Sequence, residues 1–357
     1  MQGNEKFLGR VASYAHKHAL WREGERILAA VSGGPDSLAL LLALKLLAVK
    51  EKINIGCCCV NHHLRAAAGK EAEFVESVCR EWNIPFILKE VDVQSAVRNG
   101  GSIETAARDL RYKALREAAR GGRYAKIAVA HHGDDQAETV LYHLLRGSGV
   151  TGLSGMKPIN GDIIRPFLCV SKNEIKDFLK DFSYVPCHDE SNDVEDAVRN
   201  RIRLSLVPEL ISYNPRVTES LRRTADIFRE EDLFMEEKAD VFISSCVEHD
   251  NDKCVFFIAY FLALHIALQR RVIRKICCMV AGRIPSFEGI EKFIFLIDAG
   301  KTGSVTSSSG TFLEIQYGKA IFYKGSTQNR IPAGKLKNVG TSAVSYTHLR
   351  AHETDQY

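Results

Sequence analysis

The sequence lacks any run approaching the ~18 consecutive apolar residues that a membrane helix requires. Its first residues, MQGNEKFLGR, have no apolar h-region, so a secretory signal peptide is not expected. Ten cysteines in 357 residues do not make a disulfide scaffold, and no two of them stand three apart, as a CxxC pair would. Cys57, Cys58 and Cys59 share one apolar run and read as buried thiols of a reducing cytoplasm. Charge of one sign is also scarce. With 48 basic and 44 acidic residues the net charge is +4, too weak by itself to argue for nucleic acid. There is no internal repeat, and no low-complexity tract beyond Ser307–Gly310. What is present, 45% hydrophobic and 26% charged residues, belongs to an ordinary globular protein. At ~150 residues per domain its length predicts two to three domains.

The first half alternates short apolar strands with amphipathic helices. Strands are expected at Ile27–Val31, Ile53–Val60, Pro85–Val91 and Lys126–Ala130. Helices are expected at Ser37–Val49, Lys70–Trp82, Ser102–Ala119 and Gln136–Leu145. Strands that are apolar throughout and separated by helices predict a parallel sheet covered on both faces, a doubly wound α/β fold. A Gly-rich stretch (Gly147–Gly161), Ile163–Phe167 and a helix at Ser171–Lys180 follow, then the polar segment Cys187–Arg203. From about Asn214 the pattern is helical, with Ser/Gly-rich strand-like pieces between Gly303 and Tyr323. The expected domains are 1–213 (catalytic), 214–325 (mainly helical, with short strands) and 326–343 (the start of a truncated C-terminal region). Residues 344–357 resemble a translated sequencing adapter and are set aside. Without them the net charge over 1–343 is +5, and the natural protein is expected to continue further.

Ser32-Gly33-Gly34-Pro35-Asp36-Ser37 follows the first strand and opens the first helix. Glycines let backbone approach a ligand closely, and N–H groups at a helix N-terminus bind anions. The Walker pattern GxxxxGK[ST] is absent, so no lysine reaches the β- and γ-phosphates. Such a loop suits a pyrophosphate that leaves while the nucleotide becomes AMP. An ordinary strand–helix turn started by Pro35 and Asp36 is the plainer alternative. Asp36, a carboxylate among phosphate-binding N–H groups, makes sense as a Mg²⁺ ligand. Asp134, Asp135 and Glu138 follow another strand end, where open α/β sheets hold ligands; Asp135-x-x-Glu138 also fits a helix N-cap with its reciprocal partner. Arg108 and Arg111 stand three apart on one helix and read either as a solvated face or as partners for a carboxylate or phosphate. His131 and His132 lack a Cys/His partner at zinc spacing, and loop packing accounts for His62 and His63 as well as a base or ATP contact does.

SGGPDS is similar to the signature of the PP-loop ATP pyrophosphatases. Val60–Arg65, Ala106–Tyr112, Ala130–Thr139, Leu144–Met156, Ile163–Phe167 and the DESND…RNRIR segment, in that order, resemble the tRNA(Ile)-lysidine synthase family within them. The resemblance is strong over about residues 25–215 and weaker through Ala267–Ile276. It implies adenylation by ATP of O2 on the wobble cytidine of a tRNA(Ile) with anticodon CAU. Free lysine then attacks C2 and displaces AMP, giving lysidine. It implies ATP contacts from Ser32, Gly33, Gly34, Pro35, Asp36 and Ser37, with Mg²⁺ on Asp36, and catalytic roles for Asp36, Arg111, Asp135 and Glu138. Arg111, Asp135 and Glu138 would also hold lysine. Arg199, Arg201 and Arg203 have the charge to track tRNA, as do arginines 216, 222, 223, 229, 270, 271 and 274. A homodimer is a further expectation. A tRNA 2-thiolation enzyme is the nearest rival, disfavoured by the missing CxxC, and an amidotransferase-type synthetase would need a glutaminase segment that is not there. A non-catalytic tRNA-binding homologue is disfavoured by the intact SGGPDS and DDQAET.

Overall fold

The computed structural model describes residues 2–62, 68–93, 103–182, 197–250 and 252–325. The expected stump at 326–343 and the suspect tail at 344–357 lie outside them, as does His63. The chain divides into two compact units, Met1–Met235 and Glu236–Tyr357, and the division falls within the helix Val217–Cys246.

In the first unit six strands form one sheet: β1 (Arg26–Ala30), β2 (Asn54–Asn61), β3 (Phe86–Glu90), β4 (Lys126–Ala128), β5 (Ile159–Asn160) and β6 (Ile163–Ile164). Their order is β3-β2-β1-β4-β6-β5. All neighbours are parallel except β5 and β6, an antiparallel pair at the edge that the strand pattern did not announce. The chain steps outward from β1 to β2 and β3, then returns past β1 to β4. This reversal puts a topological switch point between β1 and β4, beyond whose C-terminal ends α/β sheets bind ligands.

Helices α1 (Gln2–Lys17), α2 (Pro35–Glu51), α3 (Ala68–Glu81), α4 (Ile103–Gly121), α5 (Gly133–Leu145), α6 (Val150–Leu153) and α7 (Lys172–Lys180) complete this part. Leu38 to Leu44 of α2 are buried on every side of the helix, so α2 lies inside the layer instead of on its surface. The N-terminal residues, read only for what they were not, form α1. Its Phe7, Val11 and Ala15 stand four apart and are buried. Phe7 stacks on Phe178 of α7 at 4.4 Å and meets Phe167 edge-on at 5.5 Å. Burying such a ring stabilises by about 2–3 kcal/mol. On the opposite face α4 packs Leu115 and Ala118 near Leu28 and Ile127, with Tyr124 beside Gly56. A Cβ on Gly56 would stand 2.0 Å from the Tyr124 hydroxyl, so only glycine fits there. Cys57, Cys58 and Cys59 lie buried in β2, and every described cysteine is free. After the undescribed 183–196, α8 (Ala197–Arg201), one π-helical turn (Ile202–Leu206) and α9 (Val207–Tyr213) run on into α10 (Val217–Cys246).

The second unit is less helical than its sequence suggests. Besides α11 (Ile258–Leu262), α12 (Ile266–Ala281) and α13 (Phe287–Ala299) it holds a five-stranded antiparallel sheet. Its strands are β7 (Glu248–Asp250), β8 (Lys253–Phe257), β9 (Val305–Ser308), β10 (Thr311–Gln316) and β11 (Lys319–Lys324), in the order β7-β8-β11-β10-β9. The β7–β8 hairpin falls in a stretch read as helical. KCVFF is too short an apolar run for periodicity to separate strand from helix, and pairing with β11 decides it. Phe242, Phe256, Phe261, Phe293 and Phe322 form the core of this unit. Arg270 pairs with Glu291 and Arg271 with Glu236, so these two arginines are engaged internally.

Candidate active site

Two loops meet at the switch point. The first leaves β1 and enters α2. Gly33 adopts φ +89°, a left-handed conformation that L side chains resist, and its missing Cβ would touch the Glu71 Cβ at 3.4 Å. Gly34 is the N-cap of α2, with Pro35 just inside. The Ser37 hydroxyl donates to the Gly34 carbonyl at 3.0 Å and accepts the Ser32 N–H at 3.2 Å, while the Ser32 and Ser37 hydroxyls lie 3.3 Å apart. The loop is therefore shaped in advance, with the free N–H groups of a helix start at its end.

Asp36 stands in that first turn. Burial pushes its carboxyl above the ordinary value, against the lowering influence of His132, Lys172 and Arg203. Its Oδ1 is buried with no hydrogen-bond partner among the described residues. An orphaned carboxylate oxygen beside a phosphate-type loop fits a hard cation, because Mg²⁺ commonly takes one or two carboxylates and completes its shell with substrate phosphates and water. The absence of a group of three His, Cys, Asp or Glu ligands among the described residues agrees with such a site, in which the nucleotide supplies most donors.

The second loop leaves β4 and enters α5. His132, 4% exposed, caps this helix. Its Nδ1 accepts the Asp135 N–H at 3.4 Å and its own N–H donates to Asp135 Oδ2 at 2.9 Å. With Nδ1 accepting, the ring proton sits on Nε2, 3.7 Å from Asp36 Oδ2. One imidazole thus bridges the two loops. Asp134 Oδ2 accepts the Lys172 N–H at 2.7 Å and ties α7 to the same corner. The helix begins three residues earlier than its apolar pattern suggests, so the cap and its reciprocal partner are His132 and Asp135, and Glu138 is left for another task.

That task is an ion pair. Arg203, on the π-helical turn, donates Nε to Glu138 Oε1 at 2.8 Å and Nη2 to Glu138 Oε2 at 3.1 Å. The same Nη2 reaches Asp135 Oδ1 at 3.4 Å. Burial alone would raise the Asp135 carboxyl. The facing His132 ring, the His132 N–H and Arg203 outweigh it and hold the group below the ordinary carboxylate value.

Arg111 of α4 acts electrostatically on His62, at the end of β2, and on His131, and no carboxylate is paired with it among the described residues. Burial pushes the His131 ring down to about 3, so it is neutral, and its buried Nδ1 has no partner; the same holds for Nδ1 of His62. Arg108 lies over the Tyr112 ring at 5.3 Å. Gln136 pins the Gly-rich stretch through Ser154 and Met156, and Arg229 grips the same carbonyls at 3.2 Å. Arg222 donates to the Cys169 carbonyl. Arg222 and Arg229, counted from sequence among the RNA-facing charges, are therefore internal braces. Arg201 is exposed, and Arg199 lies over the Tyr142 ring at 6.0 Å.

The structure brings together Ser32–Ser37, Asp36, Asp135 and Glu138 as the motifs suggest. Sequence reasoning missed the bridging role of His132, whose only signal was its place one residue before a helix start. It also missed the inward turn of Arg203.

A family model described as a PP-loop domain matches residues 5–210. The chain is 32% identical to a tRNA(Ile)-lysidine synthase of Caldanaerobacter subterraneus subsp. tengcongensis, over 92% of this chain and 71% of that protein. It is 34% identical to the tRNA(Ile)-lysidine synthase of Thermotoga sp. strain RQ2, over 85% and 72% respectively. Among solved structures it is similar in fold to a U34-tRNA thiolase from Methanococcus maripaludis, with a TM-score of 0.51 and 17% identity over 63% of this chain and 80% of that one. The PP-loop, the carboxylates on α5 and these relatives agree, and the chain belongs to the tRNA(Ile)-lysidine synthase family.

Proposed function

We propose that this protein ligates free L-lysine to C2 of the wobble cytidine of a tRNA(Ile) with anticodon CAU, consuming ATP and releasing AMP and pyrophosphate. The observation that carries the reading is the bridge between the two loops. His132 caps the helix bearing Asp135 and Glu138 and faces Asp36 across 3.7 Å, so a phosphate-binding loop and an acidic amine site share one crevice.

In the first half-reaction the cytosine O2 attacks the α-phosphorus and pyrophosphate leaves. Ser32 to Ser37 hold the phosphates through backbone N–H groups and hydroxyls, and Asp36 would hold Mg²⁺. That ion, when bound, offsets the charge that develops on the phosphate oxygens. In the second, the lysine Nε attacks C2, the C2–O bond breaks and AMP departs. An ammonium has no lone pair, so lysine must lose a proton first. Asp135 and Glu138 orient the ammonium and stand ready to receive that proton, and Arg111, unpaired by any described acid, meets the lysine carboxylate. Arg199 and Arg201 extend the site toward the RNA backbone, with Arg203 beside them.

A sulfur-transferring reaction on the same fold is disfavoured. The likeness to the thiolase is one of fold, and this sequence carries no CxxC pair. The test is ATP-dependent incorporation of radiolabelled lysine into a CAU-anticodon transcript, with AMP formed in equal amount. Incorporation that fails with lysine, ATP and Mg²⁺ all present overturns the reading.

A further inference from the structure

The acidic pair assigned above to the incoming amine is already occupied by a cation of the chain itself. Arg203 covers both oxygens of Glu138 with a two-pronged contact and reaches Asp135 Oδ1, while the remaining Asp135 oxygen accepts the His132 N–H. All four carboxylate oxygens of the pair are thus engaged. The Glu138 side chain is 8% exposed. A lysine ammonium needs up to three acceptors in one place, and here they are taken by a guanidinium presenting the same charge.

Two features say how that occupant is removed. Arg203 sits on a π-helical turn, the one such turn among the described residues, in which the backbone hydrogen bonds step one residue further than in an α-helix. Turns of this kind are commonly found at functional sites and hold one extra residue that a local shift can absorb. Arg199 and Arg201 lie on the helical turn just before it, Arg201 exposed. A polyanion that engages those two arginines brings phosphate within the reach of a third, and phosphate takes a guanidinium in the same two-pronged way as a carboxylate.

We infer that Arg203 is a positioning residue that fills the amine subsite until a tRNA phosphate draws it away, so that the subsite opens to lysine only when RNA is bound. The inference rests on the function proposed above. It makes the enzyme ordered, with tRNA before lysine, and protects the adenylation site from a free amino acid when no acceptor base is present. Linkage then requires that lysine tighten tRNA binding by the same factor by which tRNA tightens lysine binding.

The experiment uses the whole chain and measures binding of radiolabelled lysine by equilibrium dialysis, with and without a CAU transcript, alongside lysine incorporation. In the unaltered protein the transcript is expected to tighten lysine binding tenfold or more. In Arg203→Gln, lysine without RNA should bind at least tenfold more tightly than to the unaltered protein, and the transcript should add less than twofold. Arg203→Lys, which keeps the charge and loses the fork, should fall between the two. A purely structural role for Arg203 predicts the opposite, weaker lysine binding in both variants, and that result overturns the inference; so does an unaltered protein whose lysine affinity ignores the transcript. If the unaltered protein incorporates no lysine, the assigned reaction fails and this inference with it. If it incorporates lysine while Arg203→Gln binds lysine no more tightly, the inference alone fails.

Discussion

The phosphate loop and the amine subsite lie in one crevice but are built on different principles. The loop is made of backbone. Gly33 supplies a left-handed residue, Gly34 and Pro35 start the helix, and the serine hydroxyls brace the turn within six consecutive residues. The amine subsite is made of side chains from separated segments, Asp135 and Glu138 of α5 against Arg203 on the π-helical turn, 65 residues beyond Glu138 in the chain. A backbone site is fixed as soon as its strand and helix form. A side-chain site can exist with its partners joined or parted, and it can therefore be switched.

Substitutions test that contrast. The largest effect is expected from Asp36→Ala, which removes the buried carboxylate from the loop. Pyrophosphate release should fall on the order of 10²–10³-fold, and near-normal release would remove Asp36 from the nucleotide site. Next comes Glu138→Ala. Measured by the lysine dependence of incorporation, KM should rise roughly tenfold or more while adenylation of the transcript is retained; an unchanged lysine dependence would break the assignment. Gly33→Ala tests the backbone side. Forcing an L side chain to φ +89° costs about 1–2 kcal/mol, so adenylation should drop roughly tenfold with lysine KM unaltered. A change in lysine KM alone would show that the two regions are not separable in this way.

The smallest effect concerns pH. His131 has its pKa pushed down to about 3 by burial, from an ordinary 6.5. Below about 6.5 the unfolded chain binds a proton that the folded ring refuses, so stability falls progressively from there toward about 3. Between pH 7.5 and 5 the unaltered protein should lose about 2 kcal/mol more than His131→Asn in urea unfolding. Equal losses would mean that the ring takes up its proton in the folded state.

The same contrast explains what could be read in the sequence. SGGPDS announces its loop because the need for glycine and the helix start are local. The parallel sheet is legible because buried strands are apolar throughout, and Asp36, Asp135 and Glu138 follow strand ends in a fold where ligands gather there. The Arg203–Glu138 contact is not legible, since charge patterns along a helix do not say which arginine turns inward. Arg222 and Arg229 look like RNA contacts in sequence and prove to hold backbone carbonyls. The β7–β8 hairpin escapes because its identity is decided by a partner strand more than sixty residues later.

β1 and β4 are neighbours paired in register from Ile27 with Lys126 to Ala29 with Ala128. The spacing between the place where a base is activated and the place where the amine waits is therefore set by a hydrogen-bonded ladder. A reactive adenylated base survives only if the nucleophile arrives before water does, and a ladder of this kind keeps the travel distance the same in every turnover. Redesigning the enzyme for a different amine would leave the sheet untouched and rewrite only the helical run that begins at Ala197.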